Sequence, residues 1–194
     1  LLMEPPEDFD ISQASEEARE IAMRSPEELR NEANQLQEEL LELSGTQSVA
    51  DFEDILRTID IGSALGLPGV FSSTANTAAG AFGQDAPFPD NRTASAALER
   101  LQRLSALTLA QAQTNQKGSV YLLDMLQKND VSPNEFIGVD GAREKFEANY
   151  AIISNRVRDL ELIAEGYAGV NESERSNARE MLPSLRRVRD YYGA

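Results

Sequence analysis

The chain contains no histidine, no cysteine and no tryptophan among its 194 residues. Without histidine and cysteine it cannot build a thiol nucleophile, a Ser-His-Asp triad or an ordinary structural zinc site. The missing cysteine also excludes disulfides. Aromatic residues make up only 6% of the chain, which is little for a β-sandwich, because strands favour aromatic and β-branched side chains. These absences favour an all-α fold and leave carboxylates as the main remaining catalytic groups.

The sequence also lacks the apolar segments that mark export or membrane insertion. No run of about 18 or more strongly apolar residues occurs, so the sequence predicts no ordinary transmembrane helix. The first six residues, LLMEPP, have neither the charged region nor the apolar region of a signal peptide. Since they also lack an initiating Met at position 1, we expect the chain to be a cut from a longer polypeptide or a processed product.

Positive charge is scarce in the first part of the chain. Residues 1–60 hold 17 acidic and 4 basic side chains, whereas residues 61–194 hold 16 and 14. Nucleic acid is bound through Lys and Arg, so this balance predicts no sequence-specific nucleic-acid binding. Near the carboxyl end the sign reverses in a group that we call the arginine patch: Arg175, Arg179, Arg186, Arg187 and Arg189. Two readings stay open for this patch: a solvated helix end, or an assembly contact for an acidic partner such as the acidic start of another copy.

Residues 1–60 are predicted to be an acidic helical segment. A first helix is expected over residues 12–24. Ser25-Pro26-Glu27-Glu28 then places a capping residue, a proline and a glutamate as the start of a helix requires. The helix that follows carries an apolar seam spaced four and three residues apart, which predicts an antiparallel helical hairpin: Leu29, Ala33, Leu36, Leu40 and Leu43. A short helix is expected over residues 49–60.

Residues 61–92, the Gly/Ala/Pro-rich segment, differ in composition from the segments on either side. No charged residue occurs from Ile61 to Gly83, and glycine and proline interrupt the stretch. It reads as a flexible linker, as a segment that contacts other subunits, or as one that meets a membrane. The apolar candidates for an assembly contact in this segment are Leu65, Leu67, Val70, Phe71 and Phe82.

Residues 93–194 are predicted to form a small helical bundle. A helix is expected from Thr93 or Ser95 to about Lys117, broken at Gly118, with Ser119 capping the next short helix. Ser132-Pro133 should open a single turn, and the longest helix should run over residues 141–165. A last helix, capped by Asn171 or Ser173, should be kinked or interrupted by Pro183.

The acidic clusters are the closest approach to catalytic chemistry. Glu16, Glu17 and Glu20, like Glu38, Glu39 and Glu42, are expected on the outer faces of amphipathic helices, where carboxylates are usually only solvated. The acids of residues 129–140 lack the spacing of a calcium-binding loop, and the glycines of residues 62–69 lack the Lys-Ser or Lys-Thr of a phosphate-binding loop. The sequence therefore predicts no enzyme, no cofactor and no metal site.

The order of features over about residues 56–165 resembles a segment of tailed-bacteriophage virion proteins of the tape-measure, internal-core or DNA-ejection type. The resemblance is carried by a Gly/Pro/Ala passage, a helix with Gln-rich turns, a Gly-Ser break, a Pro-started turn and an Ala-x-x-Lys-Phe helix: residues 65–83, 98–116, 118–126, 133–138 and 142–146. It implies a non-enzymatic part of the capsid interior or tail, in contact with copies of itself and other virion proteins.

Two other classes stay open. A cellular all-α adaptor, located in the cytoplasm, would bind its partner through a leucine-lined helix face. A membrane-perturbing protein would act through residues 61–83. In the virion interpretation, the acidic surface would suit a route for DNA, because like charges repel and keep DNA from adsorbing to the protein.

Overall fold

The computed structural model describes residues 4–44, 91–113, 115–131, 138–167 and 169–193. Within these ranges the chain forms a short 3₁₀ turn, Ile11–Gln13, and six α-helices without any strand: α1 Glu16–Met23, α2 Pro26–Ser44, α3 Asn91–Gln111, α4 Gln116–Lys128, α5 Gly138–Glu165 and α6 Glu172–Gly193. The all-α prediction is confirmed. The predicted helix over residues 49–60, the Ser132-Pro133 turn and most of the Gly/Ala/Pro-rich segment lie outside the described residues.

Two pairs of helices form most of the packing. The most extensive contact joins α5 to α6, and the next joins α2 to α3. The ion pairs Glu39–Arg100 and Glu32–Arg103 show that α2 and α3 run antiparallel. The short helix α1 packs mainly on α4, so the apolar seam of α2 faces α3 rather than α1.

One continuous hydrophobic core unites the described part of the acidic segment with the bundle. It takes Ile21 from α1, Leu40 from α2 and Leu107 from α3. Leu123 of α4 and Ile153 of α5 lie in the same cluster and are fully buried. Burial of apolar surface is the main favourable term in folding, so α1 and α2 depend on the same core as the helices beyond residue 90.

The predicted capping signals around Ser25 and Asn171 are confirmed. Ser25 Oγ accepts from the backbone N–H of Glu28 at 3.3 Å, and the Glu28 carboxylate accepts from the Ser25 N–H at 2.8 Å. Asn171 and Glu174 make the same reciprocal pair at the start of α6, with both distances 2.9 Å. Such a capping box satisfies donors that have no partner inside the helix.

Helix α5 ends at Glu165, where the sequence predicts its end, and Gly166 follows it. The φ of Gly166, +87°, lies in the left-handed region, which glycine adopts without steric cost. The Gly166 N–H donates to the carbonyl of Ile163, and the Tyr167 N–H donates to that of Leu162, both at 3.0 Å. This is the Schellman arrangement, which satisfies the last carbonyls of a helix.

The predicted break at Gly118 is wrong. Helix α3 ends at Gln111 rather than near Lys117, and Gly118 lies in the first turn of α4. Asn115, not Ser119, is the N-cap, because its side-chain oxygen accepts from the Gly118 N–H at 2.6 Å. A Cβ at Gly118 would lie 2.9 Å from that oxygen, so glycine here accommodates the cap instead of ending a helix.

The first helix differs from expectation, and in the last helix the interruption at Pro183, one of the two predicted alternatives, does not occur. Ser15 caps α1 by accepting from the Ala18 N–H at 3.1 Å, so the predicted helix over residues 12–24 is divided into a 3₁₀ turn and a helix of eight residues. Helix α6 continues through Pro183 without interruption. Pro183 is exposed, and on that side water can solvate the carbonyl that loses its intrahelical partner.

Candidate functional site

The arginine patch lies along α6, where intramolecular acids neutralise part of its charge. Arg175 and Arg179 both pair with Glu172, at 3.1 and 3.6 Å. Arg186 reaches across the helix hairpin to Glu161 of α5 at 2.6 Å. These pairs are substantially exposed, so each contributes little to stability, and their arginine side chains can still meet an outside partner.

The rest of the patch is engaged locally. Arg189 pairs with its neighbour Asp190 at 2.6 Å, and Arg187 donates to Ser184 Oγ at 3.2 Å. The other predicted assembly contacts, which belong to the Gly/Ala/Pro-rich segment, lie outside the described residues: Leu65, Leu67, Val70, Phe71 and Phe82.

Some of the predicted surface acids are bound by arginines of α3. Arg100 pairs with Glu39 at 2.7 Å and holds the pKa of that carboxyl below its ordinary value. Arg103 pairs with both Glu17 and Glu32, the latter at 2.8 Å. The partners are 61 to 86 residues apart in the chain, so sequence reasoning did not find them. The acidic segment and α3 are electrostatically complementary.

A groove of about 370 Å³ lies where the α1–α2 connection meets the α3–α4 connection. Ile21, Leu29 and Ala110 contribute apolar surface, and Met23 at the edge is 68% exposed. Most of the polar lining consists of amides: Gln111, Gln113, Asn115 and Gln116. Amides donate and accept hydrogen bonds but do not ionise near neutral pH, so this lining suits binding rather than acid–base chemistry.

Several buried polar side chains bind the backbone of a neighbouring segment. The amide of Gln102 makes two hydrogen bonds with Val131: it donates to the carbonyl at 3.0 Å and accepts from the N–H at 2.6 Å. Arg156, 6% exposed, donates to the carbonyl of Ala112 just beyond α3. Burial lowers the pKa of Arg156, and the carboxylate of Asp159 opposes this shift.

Asp124 makes the corresponding link between α4 and the start of α1. It is 3% exposed and accepts from the Ser15 N–H at 2.8 Å. Lys128 donates to its other oxygen at 2.5 Å, and Ser15 Oγ lies 2.5 Å from Gln127 Oε1. The sequence offers no signal for these contacts, because nothing in the local pattern shows which distant backbone group each side chain reaches.

A second group of polar side chains surrounds Asp130, just after α4. Asn149 of α5 is fully buried, and its Nδ2 donates to Asp130 Oδ1 at 3.5 Å. Lys145 donates to the Asp130 carbonyl at 3.1 Å. Burial of the carboxyl, assisted by the negative charge of Glu17, raises the pKa of Asp130 to about 7, while Lys145 and Asn149 act in the opposite direction.

Tyr192 of α6 completes this group, which we call the Asp130 cluster. Its side chain is buried and its ring packs against Phe146 of α5 with the centroids 5.0 Å apart. Burial and the charge of Asp130 raise the pKa of the phenol, so it stays neutral, and Ser105 of α3 lies close enough to act in the opposite direction. The cluster therefore joins α3, α5 and α6 at the end of α4.

Across the described ranges, no three acidic side chains are arranged to hold a metal ion. None of the helices described here is both long and apolar enough to cross a membrane. No known protein family, curated protein or solved structure matches the chain.

Proposed function

We propose that this chain is a non-enzymatic structural protein that binds copies of itself and other proteins. The observation that supports the proposal is that several buried polar side chains bind the backbone of the protein itself. Gln102, Asp124 and Arg156 each bind backbone atoms of a neighbouring segment. Most of the groove lining is amide or apolar, and its other polar side chains are Arg24 and Ser119. An active site instead needs an acid, base or nucleophile that faces a substrate cavity.

We propose further that the protein is an internal or tail component of a phage virion that takes part in genome ejection. Two observations support this assignment. The order of features over residues 56–165 resembles such proteins, and Glu16 and Glu38 stand exposed on α1 and α2. Exposed carboxylates along a route for DNA would repel the phosphates and prevent adsorption.

Mass spectrometry of purified virions, before and after triggered genome release, tests the location. Peptides from this chain that are present before release and depleted afterwards would identify an ejected internal protein. Peptides that persist would identify a fixed part of the particle. If no peptide from the chain occurs in either sample, the virion proposal is wrong.

The repulsion mechanism is tested by substituting exposed glutamates that form no ion pair with an arginine of α3. We expect Glu16→Gln with Glu38→Gln to slow genome ejection, because the variant presents less negative charge to DNA. Glu147→Gln with Glu165→Gln is the matched control, since it removes two exposed charges from α5 and should leave the rate unchanged. Equal rates for all three proteins would eliminate repulsion as the mechanism.

Self-assembly is tested at the arginine patch. Arg179, whose side chain is 53% exposed, should lose an intermolecular partner when changed to Gln, and sedimentation should show smaller species. Arg158→Gln is the control, since Arg158 is exposed on α5 and does not belong to the patch. A wild-type chain that sediments as a monomer at every concentration would contradict the assembly proposal.

The adaptor alternative loses support in the described part of the chain. It requires a leucine-lined face that is open to a partner. Leu29 and Leu40 of α2 are only 4% and 3% exposed, and Leu101 of α3 is 5% exposed. These leucines fill the protein's own core, so an adaptor of this kind would have to unfold α2 from α3 before binding.

A further inference from the structure

Residues 4–10, which we call the acidic turn, hold carboxylates that the described chain leaves unpaired. The Phe9 N–H donates to the Pro6 carbonyl at 3.0 Å and closes a turn with Glu7 and Asp8 at its centre. Both of these acids are exposed, and neither forms an ion pair with a residue that the structure describes. The turn therefore presents negative charge to the outside.

The acidic turn is fixed in place on α4. The ring of Phe9 meets that of Tyr121 edge to face, with the centroids 5.0 Å apart. Lys117 Nζ donates to the backbone carbonyl of Glu7 at 3.3 Å, so it holds the turn without binding the carboxylate. Two prolines precede Glu7, and each fixes φ at about −65°. A segment that is already ordered loses little entropy on binding, which favours this turn as a docking element.

The arginine patch is the densest positive charge of the chain. Residues 175–189 hold five arginines and one acid. The side chains of Arg179 and Arg186 are 53% and 49% exposed, and each pairs with one carboxylate of its own chain, that of Glu172 or of Glu161. Because a guanidinium has five N–H donors, both arginines can bind a second carboxylate from outside.

An exposed aromatic ring lies next to the patch. Tyr167, 63% exposed, follows Gly166, and a Cβ at Gly166 would lie 3.2 Å from the guanidinium carbon of Arg175. Arg179 donates to the nearby carbonyl of Ala164 at 3.1 Å. Tyr and Arg are enriched among the residues that supply most of the binding energy of interfaces, and aromatic surfaces bind proline-containing segments. This end of the α5–α6 pair therefore suits an acidic, proline-containing turn.

We propose that the arginine patch, together with Tyr167, binds the acidic turn of a second copy of this chain. Because the chain has a net charge of −15, two copies repel each other over most of their surface, and a contact is favoured only where arginines meet carboxylates. The acidic turn offers four acids and no cation in seven residues.

The patch and the turn are separate surfaces of one copy, since the turn packs on α4 and the patch pairs with α5. Each copy thus binds two neighbours, one through its patch and one through its turn. Such a heterologous contact closes into a ring or continues as a filament. The inference rests on the self-association proposed above and names the surfaces that make the contact.

Charge reversal in the full chain tests the contact by sedimentation. The patch variant carries Arg179→Glu with Arg186→Glu, and the turn variant carries Glu7→Lys with Asp8→Lys. Either variant alone should associate about tenfold more weakly or worse, because like charges face each other in every contact. An equimolar mixture should recover the wild-type species, because alternating copies join opposite charges at every contact. A misfolded variant gives no recovery, so recovery also shows that both variants are folded.

The matched control reverses two exposed arginines of α5 that do not belong to the patch, Arg143→Glu with Arg158→Glu, and should associate like the wild type. If the wild type associates and both test variants associate equally well, this contact is wrong while self-association stands. If the patch variant loses association and the turn variant keeps it, the patch binds another acidic surface and the inference is overturned. A wild type that is monomeric at every concentration contradicts self-association itself.

The salt dependence of the wild-type chain decides the matter if a variant does not fold. Raising sodium chloride to about 0.5 M shortens the screening length to about 4 Å. Association through the patch and the turn should then weaken about tenfold or more relative to about 0.05 M salt. Association that is unchanged or stronger at high salt would overturn the inference, because it would indicate an apolar contact.

Discussion

The amide of Gln102 offers the sharpest test of how buried polar groups hold this fold together. Gln102 is 6% exposed and makes both of its hydrogen bonds to the backbone of Val131, itself 5% exposed. In Gln102→Met a side chain of similar length fills the space but neither donates nor accepts. The N–H and C=O of Val131 then lose these partners while they remain buried.

The expected loss follows from those two backbone groups. A buried polar group left without a partner costs about 1–3 kcal/mol, and burial of the methionine side chain offsets part of the sum. We expect the free energy of unfolding to fall by about 3 kcal/mol. With a urea slope of about 2 kcal/mol per M, the midpoint should fall by about 1.5 M.

Urea unfolding followed by circular dichroism measures the change, with Gln35→Met as the control. Gln35 is exposed on α2 and donates to Glu39 at 3.0 Å, so its replacement should change stability by at most about 0.5 kcal/mol. Hydrogen exchange at Val131 should rise in Gln102→Met and stay unchanged in the control. Equal midpoints for the two variants would refute the claim that the Gln102 amide links α3 to the segment after α4.

Three further substitutions probe the core, a turn and a cap. Leu123→Ala empties a fully buried site of α4 and should lower the free energy of unfolding by about 3–4 kcal/mol; calorimetry that shows less than about 1 kcal/mol would mean that the site is not packed as described. Gly166→Ala places a Cβ at a φ of +87° and 3.2 Å from the guanidinium carbon of Arg175, so we expect a loss of about 1–2 kcal/mol, and an unchanged thermal midpoint would contradict the Schellman ending of α5. Asn115→Ala removes the acceptor for the Gly118 N–H and should lower the free energy of unfolding in urea by about 1 kcal/mol. Gly118→Ala should disturb the same cap, because its Cβ would lie 2.9 Å from the Asn115 oxygen. If Asn115→Ala costs as much in the Gly118→Ala background as in the wild type, the cap does not act through that contact.

The sequence by itself was sufficient for the class of fold and for several helix ends. Propensity and apolar spacing are local properties, and each of the six helices that the structure describes has a counterpart among the predicted ones. The capping box at Ser25, the cap at Asn171 or Ser173 and the end of α5 at residue 165 were predicted for the same reason, because each depends on residues a few positions apart. The predicted helix break at Gly118 was wrong, because the sequence does not distinguish a glycine that ends a helix from one that makes room for a neighbouring cap.

The pairing of helices and the position of the buried polar groups were decided only by the tertiary structure. The apolar seam of α2 predicts a partner but does not specify α3, and the charge of the acidic segment does not reveal that Arg100 and Arg103 bind its carboxylates. Asp130 likewise has no local signal that separates it from a solvated aspartate. Its raised pKa arises because folding removes the carboxyl from water beside Asn149 and Tyr192, which lie 19 and 62 residues further along the chain. Burial and long-range electrostatics are properties of the assembled fold, so no window of sequence contains them.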